Sequence, residues 1–477
     1  MSGGILVASN RGPVGFVEEG GKLVPQRGSG GLVTALTDVV NEAGGTWIAA
    51  AMSDEDRRRI EGAPDGRIEV VLDDAKYRLR LLAFEEETYE RYYNTVSNRL
   101  LWFLHHYLWD VPRWPRFGTP SRVSWEAYRS VNLAFADALA EEAGEETTAL
   151  VQDYHLSLVP AALRARAPET RVAYFHHCPF AGPGYMRLVP TWLREEMLDG
   201  LLGADLIGFQ SARWAEDFLF SARMLSDAEI DLDHRTVAWK GRETKVGVYP
   251  ITVDPEPLRE HAASDVVAAK RRDLEAWRGD RKLLLRVDRA ELSKNILRGF
   301  LAFEDLLQRH PEWRERVVFL AHLTPSRTDL PEYQTYTQQC MDVATRINDE
   351  QSTRSWTPIR VDASDDLDQV LAAYGLYDVL LVNPVFDGMN LVAKEGPLLN
   401  DGEGVLVLSR NAGAIEVLDR WALPVDPVDI AGTADALHAA LEMPQEERRE
   451  RARGLRRTVE ARSPADWIGE QLRDLTG

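Results

Sequence analysis

Two cysteines, Cys178 and Cys340, are all the thiol chemistry that 477 residues provide. Neither a disulfide framework nor a cysteine-rich metal site can be built from them. Long apolar stretches are missing too, and no run approaches the ~20 residues a helix needs to cross a bilayer. The first apolar segment, residues 5–9, is too short for the core of a secretory signal, and no basic segment precedes it. The expected location is the cytoplasm, with no membrane partner. Positive charge is scarce: 56 Lys and Arg against 76 Asp and Glu leave a formal net charge of −20. Such a field repels polyanions and argues against nucleic acid as a partner. It does not exclude a small phosphorylated ligand, because salt screens distant charge within about 8–10 Å and local arginines and helix ends dominate.

Short apolar runs alternate with longer amphipathic stretches. Strands are predicted at 5–9, 68–72, 77–84, 149–152, 171–176, 205–209 and 245–251, and again at 282–287, 317–321, 358–361, 378–382 and 404–409. Helices are predicted at 32–42, 87–105, 125–143, 156–166, 192–202 and 212–225, then at 296–310, 332–351, 367–375, 391–400, 413–419 and 434–442. Continuously apolar strands alternating with helices imply parallel sheets covered on both faces. The length suits two domains. The expected fold is α/β, with two facing Rossmann-like doubly wound domains and the active site in the cleft between them. Pro255 and Pro257 mark the boundary. The domains are placed at 1–253 and 254–455, with a C-terminal helix at 456–477 that can cross back to the first domain.

The densest chemical signal is the block 387–395. It follows a buried strand and opens a helix, so it presents backbone N–H groups and the positive end of a helix dipole to a diphosphate. Gly388 permits close backbone approach. Asp387 can accept from sugar hydroxyls, and Glu395, eight residues on and about two turns later, is placed on the same helix face, where it can hold a ribose. An N-cap aspartate with a solvated glutamate explains the same spacing. Arg289 and Lys294 follow the strand at 282–287; a guanidinium and an ammonium suit a leaving diphosphate, although two surface cations balancing Asp288 and Glu291 would look alike. Arg11 follows the first strand, and the glycine loop 28–31 can cradle phosphate oxygens or serve as a linker. Asp153 and His177 lie at strand carboxyl ends, where α/β enzymes place their chemistry. Tyr93 and Trp102 offer a hydroxyl and an indole N–H from a region of helical periodicity that equally suits core. Arg327 is a further cation beyond a strand. Zinc is not expected: His176 and His177 are adjacent, so their side chains point apart on a strand, and no cysteine or histidine spacing matches a ligand set.

Taken in order, Ser9-Asn10-Arg11, Gly30-Gly31-Leu32, Tyr92-Tyr93-Asn94, Asn98 with Trp102, Asp153-Tyr154-His155-Leu156, His177 with Pro179-Phe180, Gly208-Phe209-Gln210, Val248-Tyr249-Pro250-Ile251, Arg289 with Lys294, Arg327 and the 387–395 block resemble the trehalose-6-phosphate synthases. These are retaining glycosyltransferases of the glycosyltransferase-B fold, and the likeness runs through nearly the whole chain. The resemblance implies transfer of glucose from a nucleoside-diphosphate glucose, UDP- or GDP-linked, to glucose 6-phosphate by a front-face mechanism, with no cofactor, no metal and a possible homo-oligomer. It implies an N-terminal acceptor domain and a C-terminal donor domain. Arg11, Tyr93, Trp102 and Arg327 match ligands of the acceptor phosphate, and Asp153 matches a contact to the acceptor sugar. His177 and Asp387 match contacts to the donor glucose, and Arg289 and Lys294 the pair on the diphosphate. Gly388, Met389, Asn390, Leu391 and Val392 belong to the helix start near the phosphates, Glu395 matches the ribose ligand, and Gly30 and Gly31 lie in the loop over the donor.

The chain departs from that pattern at Ala50, where a second tryptophan is usual, at Gln152 where His is common, at Asn295 where Gly is frequent, and at Thr252. Ala50 keeps open another acceptor, as in glucosylglycerol-phosphate synthesis or cyclitol coupling. A non-catalytic sugar-phosphate sensor is disfavoured by the intact Arg289, Lys294 and Asp387.

Overall fold

The continuous apolar runs become the inner strands of two sheets. The computed structural model describes residues 4–28, 36–37, 40, 44–72, 75–225 and 227–476. It divides into unit 1, Met1–Ile251 with Pro464–Gly477, and unit 2, Thr252–Ser463.

Unit 1 carries β1 (Ile5–Ala8), β2 (Val14–Glu19), β3 (Lys22–Arg27), β4 (Thr46–Ala50), β5 (Arg67–Leu72), β6 (Ala75–Leu82), β7 (Thr148–Gln152), β8 (Arg171–His176), β9 (Leu206–Phe209), β10 (Glu229–Asp231), β11 (Thr236–Trp239) and β12 (Arg242–Val248). The main sheet runs β10-β11-β12-β9-β8-β7-β1-β4-β6-β5. From β12 to β6 every pair is parallel, and antiparallel strands finish both edges. β1, β7 and β9 are buried along their whole length, as strands covered on both faces must be. The hairpin β2-β3 stands apart from this sheet. It escapes prediction because much of β3 is exposed and Pro25 breaks its apolar pattern.

Unit 2 carries β13 (Lys282–Arg289), β14 (Val317–Thr324), β15 (Ile359–Asp362), β16 (Val379–Val382), β17 (Val405–Ser409) and β18 (Leu423–Val425). The order is β15-β14-β13-β16-β17-β18, parallel throughout. Two helices not predicted from apolar periodicity, Pro255–Ala262 and Asp265–Arg278, open the unit. The first buries nothing and the second only Val267 and Leu274, so the apolar stripe is too thin to read. Their caps are legible instead: Asp254 accepts from the Glu256 amide and Ser264 from the Val267 amide.

The unit boundaries fall at 251/252 and 463/464 instead of 253/254 and 455/456. The helix Gln445–Glu460 belongs to unit 2, where buried Arg448 donates to the carbonyls of Ala440 (3.0 Å) and Asp378 (2.8 Å). The helix Pro464–Thr476 belongs to unit 1: fully buried Trp467 packs edge-on against Phe175 at 4.9 Å, and the Tyr249 hydroxyl donates to Asp474 at 2.6 Å.

Candidate active site

In unit 2 the chain goes from β13 to β14 and β15 on one side, then returns to β16, β17 and β18 on the other. Strand order therefore reverses between β13 and β16, and in a doubly wound sheet ligands bind beyond the strand ends at that point. Lys294 follows β13 and Asp387 follows β16. Their side chains meet at 2.5 Å, and the Asn390 amide donates to the same Asp387 oxygen at 3.0 Å. Burial alone would lower the Lys294 ammonium, but Asp387 and Asp288 beside it raise it above its ordinary value, so it stays charged. The loop is held from beneath by fully buried Arg286, which bonds Asp288 (2.9 Å), the Lys294 carbonyl (2.8 Å) and the Asn383 side chain (3.0 Å). Asn295 explains one departure. Its φ is +59°, so the position requires a residue that tolerates the left-handed region, and Asn serves as Gly would. Its side chain also bonds the carbonyls of Asn383 and Pro427.

Arg289 and Arg327 converge on one carboxylate that sequence reasoning treated only as local charge balance. Glu291 is fully buried; its Oε1 lies 3.0 Å from Arg289 Nη1 and 2.9 Å from Arg327 Nη1, and accepts from Ser326 Oγ at 2.7 Å. Burial pushes its carboxyl up, but Arg289 and Arg327 overcome this and hold it at about 2. A carboxylate between two expected ligand cations, four residues past the predicted strand 282–287, was the available signal. Because the folded value lies below the ordinary 4.5, the stabilisation is complete above about pH 4.5 and is lost as pH falls through about 2. Glu291→Gln should destabilise the protein by about 1.5–3 kcal/mol at pH 7. The difference should shrink below pH 4.5 in denaturant titrations at several pH values.

The 387–395 block corrects a prediction. Asp387 is not on a helix turn facing Glu395. It bridges Ala412 in parallel fashion, with its amide donating to the Asn411 carbonyl and its carbonyl accepting from Gly413, both at 3.1 Å. Asn390 has φ +76°, and the helix begins only at Val392. The two-turn spacing argument therefore fails, since the five residues 387–391 are not helical. Glu395 instead accepts from the Tyr374 hydroxyl at 3.0 Å, and burial raises its carboxyl. Gly388 does approach another backbone closely: a Cβ on Gly413 would sit 1.9 Å from the Gly388 oxygen. Met389 is buried and Leu391 and Val392 are half-buried. The Ala393 amide donates to Asn390 Oδ1 at 3.3 Å, capping the helix.

In unit 1 the order reverses between β1 and β7. Arg11 follows β1 and Asp153 follows β7. Asp153 has φ 72° and ψ 166°, a conformation that is essentially glycine's. Its Oδ1 accepts from the His177 amide at 3.2 Å. The His177 ring lies between Gln152 Oε1 (2.9 Å) and Gln210 Nε2 (3.5 Å), so Nε2 donates and Nδ1 accepts. Burial lowers it to about 3, and it is neutral at pH 7. Gln152, the second departure, thus fixes the tautomer.

Arg11 is exposed. Its loop is set by Trp47, whose indole donates to Ser9 Oγ (2.8 Å), which donates to the Arg11 carbonyl (2.6 Å). Neighbouring Asn10 donates to the Tyr89 hydroxyl at 3.2 Å, Tyr89 stacks on Tyr93 at 5.5 Å, and Tyr93 stacks on His155 at 5.8 Å. Tyr93 rides on an eleven-residue π-helical stretch, Arg91–Leu101, inside the predicted helix. Such stretches are rare and gather at functional sites. Trp102 is buried, stacked on His106 at 3.7 Å. Gly28 ends the β2-β3 hairpin, its amide donating to the Pro13 carbonyl, with Gly12 O only 2.8 Å from where a Cβ would lie. Gly30, Gly31, Leu32 and most of the predicted helix 32–42 lie outside the described residues.

Each unit is thus a doubly wound α/β body with charged side chains at its switch point. The solved structures agree: this is the glycosyltransferase-B fold. An alpha,alpha-trehalose-phosphate synthase (UDP-forming) from Burkholderia xenovorans, in complex with glucose-6-phosphate, matches over 100% of both chains at a TM-score of 0.85 and 32% identity. Among curated relatives, the Schizosaccharomyces pombe alpha,alpha-trehalose-phosphate synthase (UDP-forming) is 32% identical over 98% of this chain and 90% of its own length. The validamine 7-phosphate valienyltransferase of Streptomyces hygroscopicus is 30% identical over 93% and 88%. Other curated relatives are longer, and the chain spans 48–62% of their lengths. Residues 4–477 match glycosyltransferase family 20, and the chain belongs to that family. Among the described residues no helix is long and apolar enough to cross a membrane.

Proposed function

We propose that the protein is a retaining glucosyltransferase that makes trehalose 6-phosphate from a nucleoside-diphosphate glucose and glucose 6-phosphate. The observation that carries this reading is the Lys294–Asp387 pair at the switch point of unit 2, a charged ammonium and a carboxylate where a sugar diphosphate would lie. Lys294 and Arg289 stabilise the charge that grows on the departing diphosphate, aided by the amides from Gly388 to Val392. Asp387 and His177 hold the donor glucose, and Glu395 the ribose. Asp153 holds the acceptor sugar, and Arg11, Tyr93, Trp102 and Arg327 bind its phosphate. The acceptor hydroxyl forms the new bond on the face from which the diphosphate leaves, and a phosphate oxygen takes its proton. Two cations and a helix start serve the diphosphate without a metal, so protein treated with EDTA should keep full activity.

Incubation with glucose 6-phosphate and UDP-, GDP- or ADP-glucose tests the reading; no disaccharide phosphate from any donor would refute it. Arg327→Ala should raise the KM for glucose 6-phosphate far more than that for the donor, and equal effects would remove its assigned role. Ala50 and the likeness to the valienyltransferase support a second reading in which the acceptor is a cyclitol phosphate. Direct competition between the two acceptors separates them. A cytoplasmic enzyme is expected, and whether it assembles as a homo-oligomer is checked by its mass in solution.

A further inference from the structure

The sequence offers no metal-ligand spacing, yet the fold of unit 1 gathers one. The side chains of Asp153, His176 and Cys178 each bring a donor atom within 4.8 Å of the others. His176 Nε2 and Cys178 Sγ are 3.2 Å apart. On tetrahedral zinc, with Zn–S of ~2.3 Å and Zn–N of ~2.0 Å, those atoms stand about 3.5 Å apart. Between these two atoms an opening of a few tenths of an ångström would admit the ion, and the Asp153 carboxylate, within 4.8 Å, would close on it. We propose that Asp153, His176 and Cys178 form a binding site for a thiophilic divalent cation, Zn2+ in the first instance.

Thiolate, imidazole and carboxylate are the donor types zinc prefers. His176 is already oriented for the task. Its Nδ1 is 3.1 Å from the Tyr174 hydroxyl. When Nε2 ligates the metal in place of its 3.2 Å contact to the Pro179 carbonyl, Nδ1 carries the proton and donates to Tyr174, as metal-bound histidines commonly do to an outer partner. His176 and Cys178 are almost fully buried, and half-buried Asp153 forms the open side. Binding releases the Cys178 thiol proton to solvent, and thiolate and carboxylate together balance the ion's charge. The other grouping of possible ligands, His310, Glu312 and His438, lacks this geometry. Its imidazoles stack at 3.6 Å with 9° between planes, so their lone pairs run parallel instead of converging.

The consequence rests on the proposed function: a metal that engages Asp153 removes it from the acceptor sugar and so raises the KM for glucose 6-phosphate. The test is titration of the full chain with Co2+, read as the near-ultraviolet thiolate-to-cobalt band, and with Zn2+, read by competition with a chromogenic chelator. A cobalt band is expected in the wild type, lost in Cys178→Ser and kept in Cys340→Ser. Tyr174→Phe should weaken Zn2+ binding ~10-fold or more. No band in the wild type, or a band that survives Cys178→Ser, overturns the site. A band without any change in acceptor KM supports the site and overturns the acceptor role of Asp153.

Discussion

Lys294→Ala should lower kcat about 10²–10³-fold while changing the donor KM much less. A charge aimed at a leaving group acts mainly in the transition state, and removing one such group costs on this order. The structure adds a second consequence. Lys294 is the ion partner of Asp387, so its loss leaves that carboxylate with the Asn390 amide but without its counter-charge. Lys294→Arg restores the charge but not the compact ammonium, and a planar fork does not fit where a point charge did. Its kcat should fall between alanine and wild type. A kcat for Lys294→Ala within about threefold of wild type would remove Lys294 from the chemistry.

Asp153→Gly should be more stable than Asp153→Ala by about 1–3 kcal/mol, although both lose the carboxylate. Holding a non-glycine residue at φ 72°, ψ 166° costs energy of that order, and glycine relieves it. Both variants should lose kcat/KM for glucose 6-phosphate by at least about 10²-fold if the side chain grips the acceptor. Stability restored with activity still absent identifies a residue retained for chemistry at a conformational cost. Chemical denaturation of the pair, beside steady-state kinetics, reads both quantities. Equal stability of the two variants would show that the backbone carries no such strain.

Several of these features were legible before any coordinate. Burial of both faces left only apolar residues in β1 and β16, so parallel doubly wound sheets followed from such runs alternating with helices. Punctuation marked which residues sit at or beyond strand ends, and that set Arg11, Asp153 and Lys294 just past β1, β7 and β13, with Arg289 as the last residue of β13 itself. The edge strands β5 and β15 were legible, whereas β10, β11 and β18 and the helices Pro255–Ala262 and Asp265–Arg278 were not, because elements that bury little show little apolar periodicity.

Local pattern therefore determined the class of fold, the family resemblance and the roster of charged residues. Only tertiary structure decided which of them meet: Glu291 with both arginines, Lys294 with Asp387, Glu395 with Tyr374 in place of a shared face with Asp387, and Cys178 with His176 beside Asp153. Most of these partners are tens of residues apart in the chain and are joined by strand order, which leaves no periodic trace in one dimension; the close pairs, Arg289 with Glu291 and His176 with Cys178, meet only because the loops beyond β13 and β8 turn them together.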